Sequence, residues 1–319
     1  MKEIYVTGLK TDMEIKDFFM VKTIAVKIGA NRKQYLDLLL ADSSGEITAK
    51  KWDLADEELP SLNEIREMDI VKIKGVITEW NGMRQVRVLR VRKSTKEDNV
   101  EFSDFIRAAP EKPEEMYSFI IAKANNIKDN DLKSLCVTVL SSNREKLMYY
   151  PAAQKNHHAE LGGLLYHMKR MLMTGERVCE VYAHLNKDLV TTGVILHDIE
   201  KMREIDANEL GVATGYSFEG QMLGHIVMGV MSLARMAEEI GMPREKAVMV
   251  EHMILSHHYE PEFGSPKRPL FPEAEILHYL DMIDARMYDM QEALQATEPG
   301  GFSEKVWTLD SRKLYRVKE

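Results

Sequence analysis

The chain has 319 residues, 45% apolar and 29% charged, with a net charge of −8 at pH 7, which fits a globular protein of about two domains. No stretch approaches the ~20 apolar residues of a membrane span, and MKEIYVTGLKTDMEIKDFF at the N-terminus has no apolar signal-peptide core, so a cytoplasmic protein with no membrane partner is expected. The two cysteines, Cys136 and Cys179, make neither a disulfide framework nor a metal-spaced pair.

The acidic total hides an uneven distribution. Residues 1–95 carry 17 Lys and Arg against 15 Asp and Glu. From Asn81 to Lys96 there is no acid, but there are Arg84, Arg87, Arg90, Arg92, Lys93 and Lys96. A local basic track is compatible with an acidic chain.

Residues 1–95 are expected to form the first domain, in which 18–93 read as short strands. FFMVKTIAVKIG is the first; QYLDLLLADSSGEITAKKWD holds two more around the turn cluster Asp42-Ser43-Ser44-Gly45. LNEIREM predicts one or two helical turns. DIVKIKGVITEWNGMRQVRVLRVRK is a second hairpin turning at Asn81-Gly82. Three strands, a short helix and two strands is the order of a five-stranded Greek-key OB-fold barrel. The arginines do not alternate cleanly with Val86, Val88 and Val91, which points to a bulge or a partly solvated edge. The pattern YLDLLLADSSGEITAKKWD…VKIKGVITEWNGMRQVRV resembles OB-folds of the tRNA-anticodon-binding type. That resemblance implies single-stranded nucleic-acid binding through a positive groove and aromatic platforms. The candidates are Trp52, Trp80, Arg84, Arg87 and Arg90, although a tryptophan on a small barrel reads equally well as core.

Residues 96–116 are polar, hold two prolines and read as a linker. Residues 117–319 show apolar residues at helical spacing and are expected to form an all-α domain. Many of the 21 methionines lie there and read as core filler. Within these helices polar groups recur beside apolar runs: His167 after GGLLY, His197-Asp198 after GVIL, His225 after GQMLG, His257-His258 after HMILS, and Asp281 after ILHYL. A buried carboxylate needs compensation, and one inner site shared by several helices would supply it for all. Imidazoles and carboxylates are ligands of divalent metals. Adjacent helical residues point about 100° apart, so His197 and Asp198 serve one centre if two ions are present and Asp198 bridges them. His167, His197 and Asp281 would complete one shell. His225 with His257, or alternatively His258, would hold the second ion. Nitrogen-rich shells disfavour magnesium and calcium, leaving two divalent transition metal ions, manganese first, with cobalt, iron or nickel as alternatives.

The ordered set His…His-Asp…Asp with intervening histidines resembles the HD superfamily of metal-dependent phosphohydrolases, over roughly residues 145–295. In that superfamily a lysine at the position of Lys201 in HDIEK commonly faces the phosphate. An OB-fold before an HD domain, with NHHAELGGLLYH, LSHHYEPEFGSPKRP, ILHYLDMIDARM and the tail LDSRKLYR, is similar to the YhaM-type 3′→5′ exoribonucleases nearly end to end. The resemblance implies removal of nucleotides from the 3′ end of single-stranded RNA, with single-stranded DNA as an alternative substrate. In such an enzyme a water acidified by both ions attacks in line. Asp198, Lys201 and His258 are then the expected catalytic residues, His258 as ligand or as leaving-group acid. Ser265, Lys267 and Arg268 of GSPKRP would offset phosphate charge. Asp284 reads as a support for the site or a helix ion-pair partner, and His157 and His158 as nucleotide contacts or surface residues. The chain departs from that family at Tyr166, Glu200 and Tyr259, where Glu, Gly and Gly are usual. Two other readings stay open: a phosphodiesterase acting on a small or cyclic nucleotide, since SHHYEPEFGSPKRP resembles the HD-GYP loop, and a non-catalytic RNA-binding protein. Apolar helix faces left exposed would suit a homo-oligomer.

Overall fold

The computed structural model describes residues 2–318 except 30–32, 53, 55–61, 63, 81, 102–103, 155–157, 209–210 and 296. It divides into two compact units, residues 1–108 and 109–319.

The first unit is a closed barrel with strand order β1-β2-β3-β5-β4. Its strands are β1 (Glu14–Ile28), β2 (Gln34–Asp42), β3 (Gly45–Lys51), β4 (Ile70–Trp80) and β5 (Met83–Lys93). Phe19, Leu36, Leu40, Ile73, Ile77 and Val86 alternate inward and fill it. Closure comes from a short parallel pairing of Thr48–Lys50 with Gln85–Arg87. Of the two alternatives, bulge or partly solvated edge, a bulge is present: Lys74 pairs with Arg90 and Gly75 with Val88, leaving Leu89 extra and resetting which side chains of β5 face outward. The β4–β5 hairpin closes with Gly82 at φ 76°; Asn81 of the expected turn lies outside the described residues. So does Asn63 of the expected helical turn, whose Leu62 and Ile65 are buried in the barrel core.

Asp42, at the end of β2, is the polar anchor of this unit. Its carboxylate accepts from Val6 N at 2.8 Å, Ser44 N at 2.9 Å and Ser44 Oγ at 2.6 Å. It also pairs with Lys2 Nζ at 3.0 Å, both side chains fully buried. Lys2 in turn lies 4.0 Å from the Phe19 ring centroid. The stretch expected as a linker over 96–116 is shared between the units. Asp104 accepts from Tyr5 Oη at 2.7 Å and from Ser43 N through its carbonyl at 3.0 Å, which holds residues up to 108 to the barrel. The first helix of the second unit already starts at Pro113, a residue suited to a helix N-terminus.

The second unit contains α1 (Pro113–Asn125), α2 (Asn130–Ser142), α3 (Arg144–Leu147), α4 (Gly163–Val181), α5 (Lys187–Leu196), α6 (Lys201–Glu204), α7 (Phe218–Glu239), α8 (Arg244–Ser256) and α9 (Pro272–Gln295). A two-stranded hairpin, β6 (Ile205–Ala207) with β7 (Ala213–Tyr216), interrupts the expected all-α pattern. α5 carries a run of buried residues from Thr192 to Leu196 and is packed on several sides. At Gly193 a Cβ would lie 2.4 Å from Met253 Cε and 3.1 Å from Leu277 Cδ2. A larger residue there would have to displace the end of the Met253 side chain and crowd Leu277, so glycine suits the close packing of α5 on α8 and α9 that brings His197 to the inner site. The helix predicted through HDIEK stops instead at Leu196, and residues 197–200 form a turn. α7 is broken at Gly224, whose φ 70° and ψ 161° suit only glycine. None of the described helices is long and apolar enough to cross a membrane.

Candidate metal centre and nucleic-acid face

His197 caps α5 and turns its ring inward. Its Nδ1 donates to the Val194 carbonyl at 2.9 Å, which leaves Nε2 as a bare lone pair 3.3 Å from His167 Nε2 and 3.2 Å from Asp198 Oδ2. His257 repeats the arrangement at the end of α8, with Nδ1 donating to Ile254 O at 2.7 Å. His258 Nδ1 donates to Phe263 O at 2.7 Å. Each hydrogen bond fixes the tautomer and aims the other nitrogen, as second partners of metal-bound histidines do.

Two clusters of potential ligand atoms contain Asp198. Asp198, His225, His257 and His258 each place a potential ligand atom within 4.8 Å of the others, and so do His167, His197 and Asp198. Asp198 is common to both: Oδ1 lies 3.4 Å from His225 Nε2 and 3.8 Å from His257 Nε2, while Oδ2 faces His197 and His167. Asp281, from α9, adds Oδ1 at 3.4 Å from His167 Nε2. The seven expected ligands therefore converge, and His257 and His258 fall in the same cluster.

Asp198 Oδ1, His225 Nε2 and His257 Nε2 are buried without a hydrogen-bond partner among the described residues. Leaving such atoms unsatisfied is costly, and a cation between them is the group that fits. Burial would raise the Asp198 pKa, but His197 and Lys201 beside it hold the carboxyl well below its usual range. Asp281 is likewise held well below by His167 against the effect of burial. Burial and the neighbouring His258 push His257 well down, and burial lowers His258, so both are neutral near pH 7 and able to ligate. Burial alone would lower His167, yet its bonds to Asp281 and Asp284 lift it to about 9.

Several predicted residues take other positions. Lys201 Nζ sits 2.7 Å from Asp198 Oδ2; burial works against its charge, and Asp198 and Asp281 more than restore it. His258 has its one ring proton engaged by Phe263 O, which suits ligation and not donation to a leaving group. Ser265 is fully buried and accepts from His258 N at 3.0 Å, so it holds the ligand loop and does not face phosphate. Arg268 is paired with Glu260 at 3.0 Å and lies 5.0 Å from the Tyr259 ring centroid; Lys267 is exposed. Asp284 supports the site: it accepts from His167 Nδ1 at 2.8 Å, His158 Nε2 at 2.7 Å and Arg170 Nε at 2.6 Å. His158 is buried there and not at the surface, and His157 lies outside the described residues. Glu200 is salt-bridged to Arg203 at 3.2 Å, which offsets its charge. Tyr259 has φ 69°, a left-handed conformation that explains why glycine is natural at that place.

Glu204 escaped the sequence reading. It accepts from His225 N at 3.1 Å with Oε1 and from His225 Nδ1 at 2.9 Å with Oε2. The break at Gly224 is what turns His225 toward it. The only signal was a glycine directly before a histidine inside a helical pattern. Glu204→Gln is expected to weaken the ion held by His225 about 10–100-fold and to spare the one held by His167, as measured by calorimetric metal titration. Equal weakening of both would contradict the assignment.

On the barrel, Trp52 lies outside the core, 43% exposed, and stacks on Tyr35 with centroids 4.3 Å apart. Lys50 Nζ is 5.6 Å from the Tyr35 ring centroid and its strand position faces Arg87. Tyr35, Trp52, Lys50 and Arg87 thus share one outer face; Tyr35 was not singled out by sequence because its partner is on the next strand. Arg90, opposite Lys74, also points outward. Trp80 stands at the hairpin end, 66% exposed. Arg84 does not join them: its guanidinium donates to the Leu9 carbonyl and secures the barrel.

Residues 164–286 match the family model of the HD domain. An OB-like closed barrel followed by a helical region with an HD domain is therefore the class of protein that fold and site define. Among solved structures, the chain is similar to the second OB-fold domain of replication protein A from Methanococcus maripaludis, at 16% identity over 32% of this chain and 100% of that one, TM-score 0.24. It is also similar to the OB domain of Ta0387 from Thermoplasma acidophilum, at 13% identity over 31% of this chain and 88% of that one, TM-score 0.24. A replication protein A heterotrimer bound to ssDNA matches at 19% identity over 32% of this chain and 72% of that one, TM-score 0.23.

Proposed function

We propose that the protein is a metal-dependent 3′→5′ exoribonuclease of the YhaM type, hydrolysing phosphodiester bonds of single-stranded RNA, with single-stranded DNA as the alternative substrate. One observation carries the hydrolytic reading: Asp198 presents one oxygen to each of two histidine clusters. The 3′→5′ direction rests on the resemblance of the motifs from NHHAELGGLLYH to LDSRKLYR. His167, His197 and Asp281 would hold one divalent ion and His225, His257 and His258 the other, with Asp198 between them; manganese, cobalt, iron or nickel suits these donors. When bound, such a pair acidifies a water and offsets charge on the scissile phosphate. Lys201, kept protonated beside Asp198, offers a further donor to a phosphate oxygen. Asp284 and Glu204 keep His167 and His225 aimed inward. The face of Tyr35, Trp52, Lys50 and Arg87 supplies strand affinity. Trp52→Ala is expected to weaken single-strand binding about tenfold, the effect of one lost stacking contact, read by fluorescence anisotropy.

The decisive assay incubates the purified chain and manganese with a single-stranded RNA whose 3′ end is free or blocked, a matching DNA and a cyclic dinucleotide. Mononucleotides released only from free 3′ ends are expected. Intact RNA with a cleaved dinucleotide would instead mark a small-nucleotide phosphodiesterase. Binding without cleavage, with cobalt, iron and nickel tried in turn as well as manganese, would mark a non-catalytic binder.

A further inference from the structure

After α9 the chain returns on itself as an irregular hairpin. Gly300 N donates to Arg316 O at 2.7 Å, Ser303 N to Leu314 O at 2.8 Å and Val306 N to Arg312 O at 2.9 Å. The tip is a single 3-10 turn, Trp307–Leu309, followed by Asp310 and Ser311 at φ 60° and 54°. The inner side is fastened to α9. Arg286 binds Asp310 at 2.8 Å, and Arg316 donates to the carbonyls of Leu294 at 3.2 Å and Thr297 at 2.7 Å. Ser303 and Leu309 are buried. The hairpin is therefore a positioned surface, anchored on the helix that carries Asp281 and little more than one turn beyond it.

Its outer side exposes three rings. Trp307 is 72% accessible, Phe302 67% and Tyr315 47%, and Phe302 and Tyr315 face each other across the hairpin with centroids 5.2 Å apart. Five cations, Lys305, Arg312, Lys313, Arg316 and Lys318, interleave with them against two acids, Glu304 and Asp310, in a chain of net charge −8. Lys305 and Lys313 are exposed and enter no ion pair among the described residues. Exposed rings of this size would ordinarily be covered. Protein interfaces, however, are depleted of lysine, whereas rings interleaved with free cations are the pattern of single-strand recognition, in which unpaired bases stack and phosphates are neutralised. A duplex keeps its bases stacked on one another and offers no free faces to such rings.

We infer that the hairpin of residues 300–318 is a second single-stranded nucleic-acid site, on the helical unit itself, in which Trp307 and the Phe302–Tyr315 pair stack on bases and Lys305 and Lys313 contact phosphates. This rests on the reading of the protein as one that acts on a single strand, and deepens it: the helical unit holds substrate by its own contacts next to the helix bearing a candidate metal ligand.

The test uses the full chain with a chelator present, so that the strand is not consumed. The chain has three tryptophans, Trp52, Trp80 and Trp307, so Trp52→Phe with Trp80→Phe leaves Trp307 as the sole indole reporter. Saturating single-stranded RNA is expected to quench it, and the matching duplex is expected not to. In the otherwise unaltered chain, Trp307→Ala should weaken strand binding about tenfold, and Lys305→Ala with Lys313→Ala should reduce the slope of log affinity against log salt by about 1.4. Trp307→Phe, which keeps a ring, should retain most of the affinity and controls for a folding defect. An unquenched Trp307 at saturation, or wild-type affinity in the Trp307→Ala and lysine variants, overturns the inference. So does a change in sedimenting mass on Trp307→Ala with strand affinity intact, which would make the rings a contact between copies. Quenching by a strand that added metal never degrades would leave this site standing and remove the nuclease reading; degradation with Trp307 silent would do the reverse.

Discussion

Asp198→Ala is expected to lower metal content at both ion positions together and to cut hydrolysis by about a thousandfold or more, the scale of losing preorganised stabilisation of transition-state charge. The reason is geometric: among the described residues no other presents one oxygen to His225 and His257 and another to His197 and His167. His197→Ala and His257→Ala should each weaken one ion and leave the other in place. Elemental analysis of dialysed protein separates the cases. An Asp198→Ala chain that keeps two tightly held ions would break the bridging assignment, and with it the proposed chemistry.

The second large effect concerns stability. Asp42→Ala removes the acceptor of Lys2, Val6 N and Ser44, leaving a fully buried ammonium without its carboxylate. Breaking a buried ion pair from one side costs about 3–5 kcal/mol. Lys2→Met should cost less, because Asp42 keeps three donors and the apolar stem is replaced in kind. Urea unfolding in a Trp307→Phe background, where only Trp52 and Trp80 fluoresce, reports the barrel transition; equal midpoints with and without Asp42→Ala would show that Asp42 anchors nothing.

Much of this was legible from the chain. The five strands and the bulge in β5 follow from turn residues and from valines that fall out of phase with the arginines. The convergence of seven side chains follows from imidazoles and carboxylates placed beside apolar runs, where burial without compensation is costly. What was not legible depends on chain reversals that periodicity cannot foresee. Glu204 meets His225 only because α6 runs into the β6–β7 hairpin and α7 breaks at Gly224. Tyr35 meets Trp52 only through the register of β2 on β3. Ser265, Arg268 and Arg84 looked free for phosphate, yet each satisfies a nearer group: a backbone amide, a glutamate and a carbonyl respectively.

Lys201 Nζ lies 2.7 Å from Asp198 Oδ2. The ammonium stands where a cation shared by His197 and Asp198 would draw on the same oxygen, and two positive charges at that separation repel strongly in a dry interior. The lysine thus serves as counter-ion to the buried carboxylate. With an ion held there the lysine would surrender that oxygen, and its side chain would be free to turn toward another anion.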